Sequence, residues 1–275
     1  MTTTRSRTAA ATFAVLALAV GLTACSSSKS ATPAASGASG SAAASASAPK
    51  ATGTITVFAA SSLTGTFNDL GKKFEAANPG TTVKFNYGGS SALAQSIVAG
   101  APADVFAAAS PATMKTVSDA KDTATDPKVF VRNTLEIAVP KGNPKNLTSL
   151  QALAAPGVKV ALCATQVPCG SAAQTALTAA NVKLTPVTLE QDVKSALTKV
   201  ELGEVDASVV YQTDVQAAGG KVDGVNFPEA AKAINDYPIA EVAKAPNAAG
   251  AEAFIAFVES TTGMQVLTTA GFQAP

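Results

Sequence analysis

The chain contains no histidine, and this absence removes more chemistry than any other feature of its 275 residues. Without imidazole there is no Ser–His–Asp or Cys–His nucleophile, and the commonest metal ligand is missing. Cysteine is scarce too, with three residues, so we expect no site for a free metal cation. Charges nearly balance, with 20 Lys and Arg against 19 Asp and Glu. Such a near-neutral protein offers no electrostatic footprint for nucleic acid or an anionic membrane surface.

The N-terminal residues have the pattern of an export signal. Arg5 and Arg7 precede an apolar run that is too short to span a bilayer permanently and has the length of a signal-peptide core. The run ends in Leu-Thr-Ala-Cys, which resembles the lipobox of bacterial lipoproteins. We therefore expect residues 1–24 to be a lipoprotein signal peptide and Cys25 to be lipidated. The alternative is an ordinary signal peptide with a nearby cysteine.

The segment that follows predicts a flexible tether over residues 25–52. Residues 26–52 are almost entirely Ser, Ala and Gly with two prolines, and such a composition cannot offset its ordering entropy by burial. Its reach would be roughly 30 Å. Cleavage before Cys25 removes two arginines and no acid, so the mature net charge is 18 − 19 = −1. We expect an extracytoplasmic body held by lipid at the outer face of the cell membrane.

From residue 53 onward, strand-like and helix-like segments alternate. Residues 54–60 form an apolar run typical of a buried strand, and Phe67, Leu70 and Phe74 follow at helical spacing. Alternation of this kind predicts an α/β fold with parallel sheets. In the second half we predict strands at 134–140, 158–163 and from 206 into a polar turn ending at 214, and helices at 170–182 and 189–203.

Three strand-to-helix junctions are rich in hydroxyls or small residues, at 58–65, 86–93 and 163–173. Ligands of open α/β sheets bind beyond the carboxyl ends of the strands, and helix N-termini favour anions. No Arg or Lys occurs in these junctions, so an anion held there would be bound by neutral donors. The alternative for any one junction is that its serines only cap a helix.

Several segments together resemble the substrate-binding protein of bacterial molybdate ABC transporters, and the resemblance runs from about Thr54 to the C-terminal Ala-Gly-Phe. The most diagnostic stretch is IVAGAPADVF at 97–106. The others are ITVFAASSL, YGGSSALAQ, RNTLEIAVPKGNP, VPCG, QDVKSAL and VVYQTD. The resemblance implies a type II periplasmic-binding-protein fold, in which two α/β lobes with parallel-type sheets are joined by two crossing segments.

The resemblance also implies a domain plan and a function. The first crossing would lie near Arg132, with lobe one formed by residues 53–132 and 245–275 and lobe two by residues 133–244. The protein would bind molybdate, and tungstate as well, in the cleft and deliver it to a membrane permease. It would act as a monomer without a cofactor, and it would not be an enzyme.

The ligand contacts implied by the resemblance lie in both lobes. Ser62 and Ser90 would each donate a hydroxyl and a backbone N–H from lobe one. In lobe two, Cys169 and Val193 would each donate a backbone N–H, and Tyr211 its phenolic O–H. These donors bind a deprotonated tetrahedral oxyanion without a counter-cation. Without the resemblance, Val193 would be interpreted as a core residue and Tyr211 as a partly buried strand residue.

The chain departs from the common pattern of that family at two places. Gly88 and Gly89 stand where bulkier or hydroxylated residues are often found, and Cys169 stands where a small residue other than cysteine is common. Backbone donation tolerates both changes. The size of the pocket, and with it selectivity by anion radius, would be affected.

Export also permits a disulfide. With Cys25 taken by lipidation, Cys163 and Cys169 remain as a pair, and their spacing is too wide for a Cys-x-x-Cys redox motif. We expect a Cys163–Cys169 bridge that contributes about 2–3 kcal/mol of stability. It would also fix the Cys169 N–H and the helix start at Gly170 toward the anion.

Other functions remain as alternatives. The same fold would serve for sulfate, another small oxyanion or an organic acid, although carboxylates usually call for an Arg fork and Arg132 is the one arginine of the mature chain. Ferric iron would call for tyrosine pairs or carboxylates, and the chain has only three tyrosines. A serine hydrolase using Ser62 or Ser90 would need Lys, Asp or Glu as its base, such as Asp104. The junctions contain no Ser-x-x-Lys, and the chain has no Gly-x-Ser-x-Gly elbow.

Overall fold

The computed structural model describes residues 51–275, which form two α/β lobes. The predicted signal peptide, the predicted lipidation site Cys25 and nearly all of the predicted tether lie outside these residues. Ala51, which falls within the predicted tether, is buried, and its carbonyl accepts a hydrogen bond from Thr81 Oγ1 at 2.7 Å. The folded body therefore begins at least two residues earlier than residue 53. Within the described residues, no helix is both long and apolar enough to cross a membrane.

Lobe one is built on a mixed five-stranded sheet. Its strands are β1 (Gly53–Ala60), β2 (Thr81–Gly88), β3 (Val105–Ala107), β4 (Lys128–Asn133) and β10 (Asn235–Glu241). Its helices are α1 (Thr64–Ala77), α2 (Ser90–Val98), α3 (Pro111–Asp119), α8 (Ala248–Glu259) and α9 (Thr261–Thr269). The strand order is β2-β1-β3-β10-β4, in which β1 pairs in parallel with β2 and β3 while β10 runs antiparallel to β3 and β4.

Lobe two repeats this plan. Its strands are β5 (Leu135–Pro140), β6 (Val160–Cys163), β7 (Thr188–Glu190), β8 (Ala207–Tyr211) and β9 (Val222–Val225). Its helices are α4 (Leu150–Leu153), α5 (Pro168–Ala179), α6 (Val193–Glu201) and α7 (Gln212–Ala217). The order is β7-β6-β8-β5-β9, with β6 parallel to β7 and β8, and β5 antiparallel to β8 and β9.

The sheets are mixed, whereas the sequence predicted parallel ones, and the crossings between lobes explain the difference. The strands β5 and β10 each enter their sheet from the other lobe, at the edge where the neighbouring strands end. A strand that enters at that edge runs opposite to its neighbours, and no crossover helix turns it round first. The antiparallel strands are therefore a direct result of passing the chain between the lobes.

The two crossings fall at different distances from their predicted positions. Thr134 alone separates β4 from β5, so the first crossing lies near Arg132, as expected. The return was predicted after residue 244, but β10 already belongs to the sheet of lobe one. Within it, Tyr237 pairs with β4 and Ile239 pairs with both β3 and β4. The chain has therefore returned by Asn235, and residues 235–244 belong to lobe one and not to lobe two.

Two local predictions in lobe two were also wrong. The helix predicted over 189–203 begins only at Val193, because the short edge strand β7 takes up Thr188–Glu190. The side chain of Asp192 caps the helix and so fixes its start. The polar turn predicted after β8 is the helix α7, in which Asp214 accepts a hydrogen bond from the Tyr211 N–H.

An aromatic cluster holds α1 against the sheet of lobe one. The predicted apolar face of this helix is confirmed, since Phe67, Leu70 and Phe74 are buried. The Phe67 ring lies 6.0 Å from that of Phe130 and 6.1 Å from that of Phe254 on α8. The contact with Phe254 is edge-to-face and the contact with Phe130 is tilted, and such aromatic contacts add to the stabilisation from burying the rings. They fix the first turn of α1 where it meets the cleft.

Candidate ligand-binding site

A small cavity lies between the lobes. Its walls come from the ends of strands and the first turns of helices in both lobes. They are the segments 60–62, 88–90, 167–169 and 192–193, together with Ala109 and Tyr211. All five residues predicted as ligand contacts, Ser62, Ser90, Cys169, Val193 and Tyr211, lie in this one wall and are buried. The structure thus brings together groups that are up to 149 positions apart, from residue 62 to residue 211 (211 − 62).

Ser62 lies in a 3-10 turn, Ser61–Leu63, between β1 and α1. Its Oγ is 2.9 Å from the Oη of Tyr237, and the Asn133 amide nitrogen lies 3.4 Å from the same Oη. Asn133 can only donate there, so the phenol oxygen accepts from Asn133, and its own O–H can donate to Ser62 Oγ. In that arrangement the hydroxyl proton of Ser62 is available to a ligand. Sequence reasoning missed Tyr237. It considered only residues that would contact the ligand, whereas Tyr237 contacts Ser62.

Ser90 is the first residue of α2 and is 1% exposed. Its Oγ accepts a hydrogen bond from the Ala109 N–H at 3.0 Å. The Ala109 carbonyl in turn accepts from the Asn235 side-chain amide at 2.6 Å, so the segment that follows β3 is held by hydrogen bonds at both its N–H and its carbonyl. An acceptor already engaged by a backbone N–H leaves the serine proton free to be donated. The hydroxyl of Ser90 can therefore donate its proton to a ligand, as that of Ser62 can.

Two helices of lobe two each begin with an unpaired amide at the cavity. Pro168, the first residue of α5, has no N–H, so Cys169 supplies the first amide of that helix. At α6, the Asp192 side chain accepts from the N–H groups of Lys194 and Ser195 and does not accept from the N–H of Val193. Within residues 51–275, neither the Cys169 nor the Val193 amide has an acceptor. Both are among the orphan donors that every helix start presents.

Tyr211 carries the clearest sign of a missing partner. It ends β8, is 1% exposed, and its ring packs edge-on against Tyr237 at 5.9 Å between centroids. Its Oη is buried and makes no hydrogen bond of good geometry in the part of the chain that the structure describes, with the side chains of Tyr237 and Asn235 as its polar neighbours. Burial raises the pKa of the phenol well above its ordinary value, so it stays a neutral donor. A buried hydroxyl without a partner costs about 1–3 kcal/mol, which a ligand oxygen would relieve.

The disulfide lies directly behind the Cys169 amide. Cys163 at the end of β6 and Cys169 in the first turn of α5 are bonded, with their Cα atoms 5.7 Å apart. The loop they close is so compact that a Cβ on Gly170 would overlap the carbonyl oxygen of Ala164. The disulfide and the close contact at Gly170 together fix the position of the first turn of α5, and with it the position of the Cys169 N–H.

No basic side chain lines the described cavity. The nearby Lys194 is paired with Asp214, its ammonium 3.2 Å from Asp214 Oδ1. Asp214 is fully buried, and that burial raises its pKa while Lys194 acts in the opposite direction. The one carboxylate in the wall, Asp192, is engaged by the donors at the start of α6. The wall therefore contains no cationic side chain and is rich in neutral donors, which suits an anion of many acceptor oxygens.

The chemistry of an enzyme or a metal centre is not assembled among the residues described. Neither Ser62 nor Ser90 has Lys, Asp or Glu as a hydrogen-bond partner in residues 51–275. Asp104, the base considered from sequence, is buried and accepts from the backbone N–H groups of Thr56 and Asn247, each at 2.6 Å. Across the same residues, His, Cys, Asp and Glu form no group of three that could hold a metal ion.

Comparison with known proteins defines the class. The family model for bacterial extracellular solute-binding proteins matches residues 55–273. The chain belongs to this family, so it is an extracytoplasmic binding protein and not an enzyme. Among individual proteins, it is similar to the molybdate-binding protein ModA of Mycobacterium tuberculosis, with 41% identity over 222 residues that cover 81% of this chain and 85% of that protein.

Solved structures agree on the architecture. The periplasmic molybdate-binding protein of Azotobacter vinelandii aligns with a TM-score of 0.69 at 19% identity, covering 80% of this chain and 99% of that one. The sulfate-binding protein SubI from Mycobacterium tuberculosis aligns with the same TM-score at 22% identity, covering 80% and 86%. At such identities the likeness shows the fold alone. It confirms the expected two-lobed type II binding-protein fold.

The disulfide should serve both stability and binding. Replacing Cys163 and Cys169 together by alanine should lower the free energy of unfolding by about 2–3 kcal/mol, because the unfolded chain loses a closed loop. It should also weaken ligand binding, because the start of α5 is no longer fixed. Guanidinium unfolding and calorimetry measure the two effects, and the reduced wild type should match the variant. An unchanged affinity would leave the bridge with a stabilising role only.

Proposed function

We propose that this protein captures molybdate between its two lobes and delivers it to the membrane permease of an ABC transporter. The observation that carries the proposal is the buried Tyr211 hydroxyl, which makes no hydrogen bond of good geometry in residues 51–275 and belongs to a residue that lines a cavity with no basic side chain in its wall. The similarity to a molybdate-binding protein over 81% of the chain supports the choice of anion. The ligand is cargo, and no cofactor enters the account.

The donor set matches a deprotonated tetrahedral oxyanion. Three hydroxyls, from Ser62, Ser90 and Tyr211, and two amides, from Cys169 and Val193, line one cavity. Amides at a helix start bring the partial positive charge of that helix, so they bind a full anion more strongly than isolated amides do. A protonated anion would have to donate a hydrogen bond, and these five groups are themselves donors. The cavity therefore favours the fully ionised form.

Selection among oxyanions follows from how the donors are fixed. Each of the five belongs to a strand end or a first helical turn, and those elements are buried. Because these donors are fixed in position, they cannot move closer to a smaller anion. An anion of the wrong radius therefore makes fewer hydrogen bonds with the protein and still loses its hydration shell. Tungstate has the same charge and nearly the same size as molybdate, and we expect it to bind as well. Sulfate is smaller and should bind far more weakly.

Sulfate remains the second candidate, because the fold does not choose between the anions. A sulfate-binding protein and a molybdate-binding protein align with this chain at the same TM-score. The choice therefore rests on the sequence similarity to a molybdate-binding protein and on the donor set. A direct titration decides between them.

The position of the protein in the cell is part of the proposal. The Leu-Thr-Ala-Cys motif supports lipidation at Cys25, and the Ser- and Ala-rich segment behind it supports a tether with a reach of roughly 30 Å. A body on such a tether is held close to its permease yet can turn to meet it. We propose that it acts there as a monomer, since both lobes that form the cavity come from one chain.

The direct test is calorimetric titration of the purified protein with molybdate, tungstate and sulfate. We expect one-to-one binding of the first two, with sulfate weaker by at least about a hundredfold, a difference of about 2.7 kcal/mol. Heat with sulfate and none with molybdate or tungstate would contradict the assignment and leave the fold intact.

A substitution at Tyr211 tests the donor set itself. Tyr211→Phe should weaken molybdate binding by about 10- to 100-fold, because a hydrogen bond to a charged group contributes about 1.5–3 kcal/mol. The matched control is Tyr87→Phe, since the Tyr87 hydroxyl donates to Asn68 outside the cavity wall. Equal affinities for the two variants would remove Tyr211 from the site.

A further inference from the structure

The two lobes touch at the rim of the cavity through the turn that leads into α2. On the lobe-one side this turn carries Gly89 and Ser91. The Ser91 hydroxyl donates to the backbone carbonyl of Gln166 in lobe two at 2.6 Å. Gln166 belongs to the loop between β6 and α5, immediately before the helix start that carries the Cys169 amide. The hydrogen bond therefore joins the two walls of the cavity directly.

Gly89 makes the closest approach between the lobes. A Cβ at this position would overlap the carbonyl oxygen of Gln191 and lie 3.6 Å from Val167 Cγ1. Both neighbours belong to lobe two, in the loops before α6 and α5. A side chain at residue 89 would thus meet only the opposite lobe among its nearest atoms.

The backbone at Gly89 does not itself require glycine. Its φ of −62° and ψ of 127° are values that any L-residue adopts readily. The adjacent Gly88 does not face the other lobe in this way. A Cβ there would meet only Leu93 of its own lobe, at an ordinary contact distance of 3.6 Å. Glycine at residue 89 is therefore needed for the approach of the lobes and not for the local fold. An open cleft would accommodate a side chain there without strain.

We propose that Gly89 and Ser91 form an interlobe latch that sets how far the cleft closes on its ligand, and so sets the affinity. The proposal rests on the proposed function, because it assumes an oxyanion shared between the lobes. With the lobes held apart at residue 89, the donors of lobe two no longer reach an anion held by Ser62 and Ser90. Ser91 adds a bond that exists only in the closed form. Neither residue is a ligand contact in this account.

The test compares two variants with two matched controls. Gly89→Ala should weaken oxyanion binding by at least about tenfold, because the binding-competent closed state becomes a minor population. Ser91→Ala should weaken it by about three- to tenfold, as expected for one lost hydrogen bond. The controls are Gly65→Ala, where a Cβ meets nothing within 4 Å, and Ser96→Ala, whose hydroxyl donates within α2. Both controls should bind as the wild type does.

The thermal midpoint of the ligand-free protein separates a latch from a structural role. We expect Gly89→Ala to keep the ligand-free midpoint of the wild type. An affinity within twofold of the wild type overturns the proposal, and so does a fall in the ligand-free midpoint as large as the fall seen with ligand. If the wild type binds sulfate and not molybdate, the proposed function fails and the same four variants test the latch with sulfate. A wild type that binds none of the three anions contradicts both proposals.

Discussion

The structure depends on one electrostatic constraint, which is that an anion in this cavity would have no counter-cation. A desolvated charge without a partner is costly unless hydrogen-bond donors surround it in fixed positions. The first turns of helices supply such donors without a cationic side chain, and three of the five proposed contacts begin a helix or lie in its first turn, at Ser90, Cys169 and Val193. Strand ends and their following turns supply the other two. The alternation of strands and helices in both lobes is what brings all of these ends to one place.

The residues that surround the cavity wall determine which O–H and N–H groups remain free to donate to a ligand. The Ala109 amide donates to Ser90 Oγ, and the Tyr237 hydroxyl can donate to Ser62 Oγ, so that each serine can give its own proton to the ligand. Asp192 takes up the later amides of α6 and leaves the first one. Lys194 is held by Asp214 and stays outside the wall. Release of an anion from this wall would therefore break hydrogen bonds and no ion pair.

Much of this could be predicted from the sequence, and what could not has physical reasons. The five proposed contacts were predicted from the resemblance of their segments to a known family, and the structure places all five residues in one cavity wall. Periodicity also gave the buried face of α1 correctly. Tyr237 was missed because its role depends on a contact with Ser62, 175 positions away. The position of β10 was wrong because local pattern does not reveal which sheet a strand joins. The short β7 was predicted as helix because three residues are too few to show the alternation of apolar and polar side chains that marks a strand.

The most direct test of the central claim is a crystal structure of the protein with molybdate bound. The account predicts an anion whose oxygens lie within about 2.7–3.1 Å of the hydroxyls of Ser62, Ser90 and Tyr211 and of the Cys169 and Val193 amides, with no lysine or arginine in contact. An anion found elsewhere, or one in contact with the Lys194 ammonium after its pairing with Asp214 is broken, would contradict it.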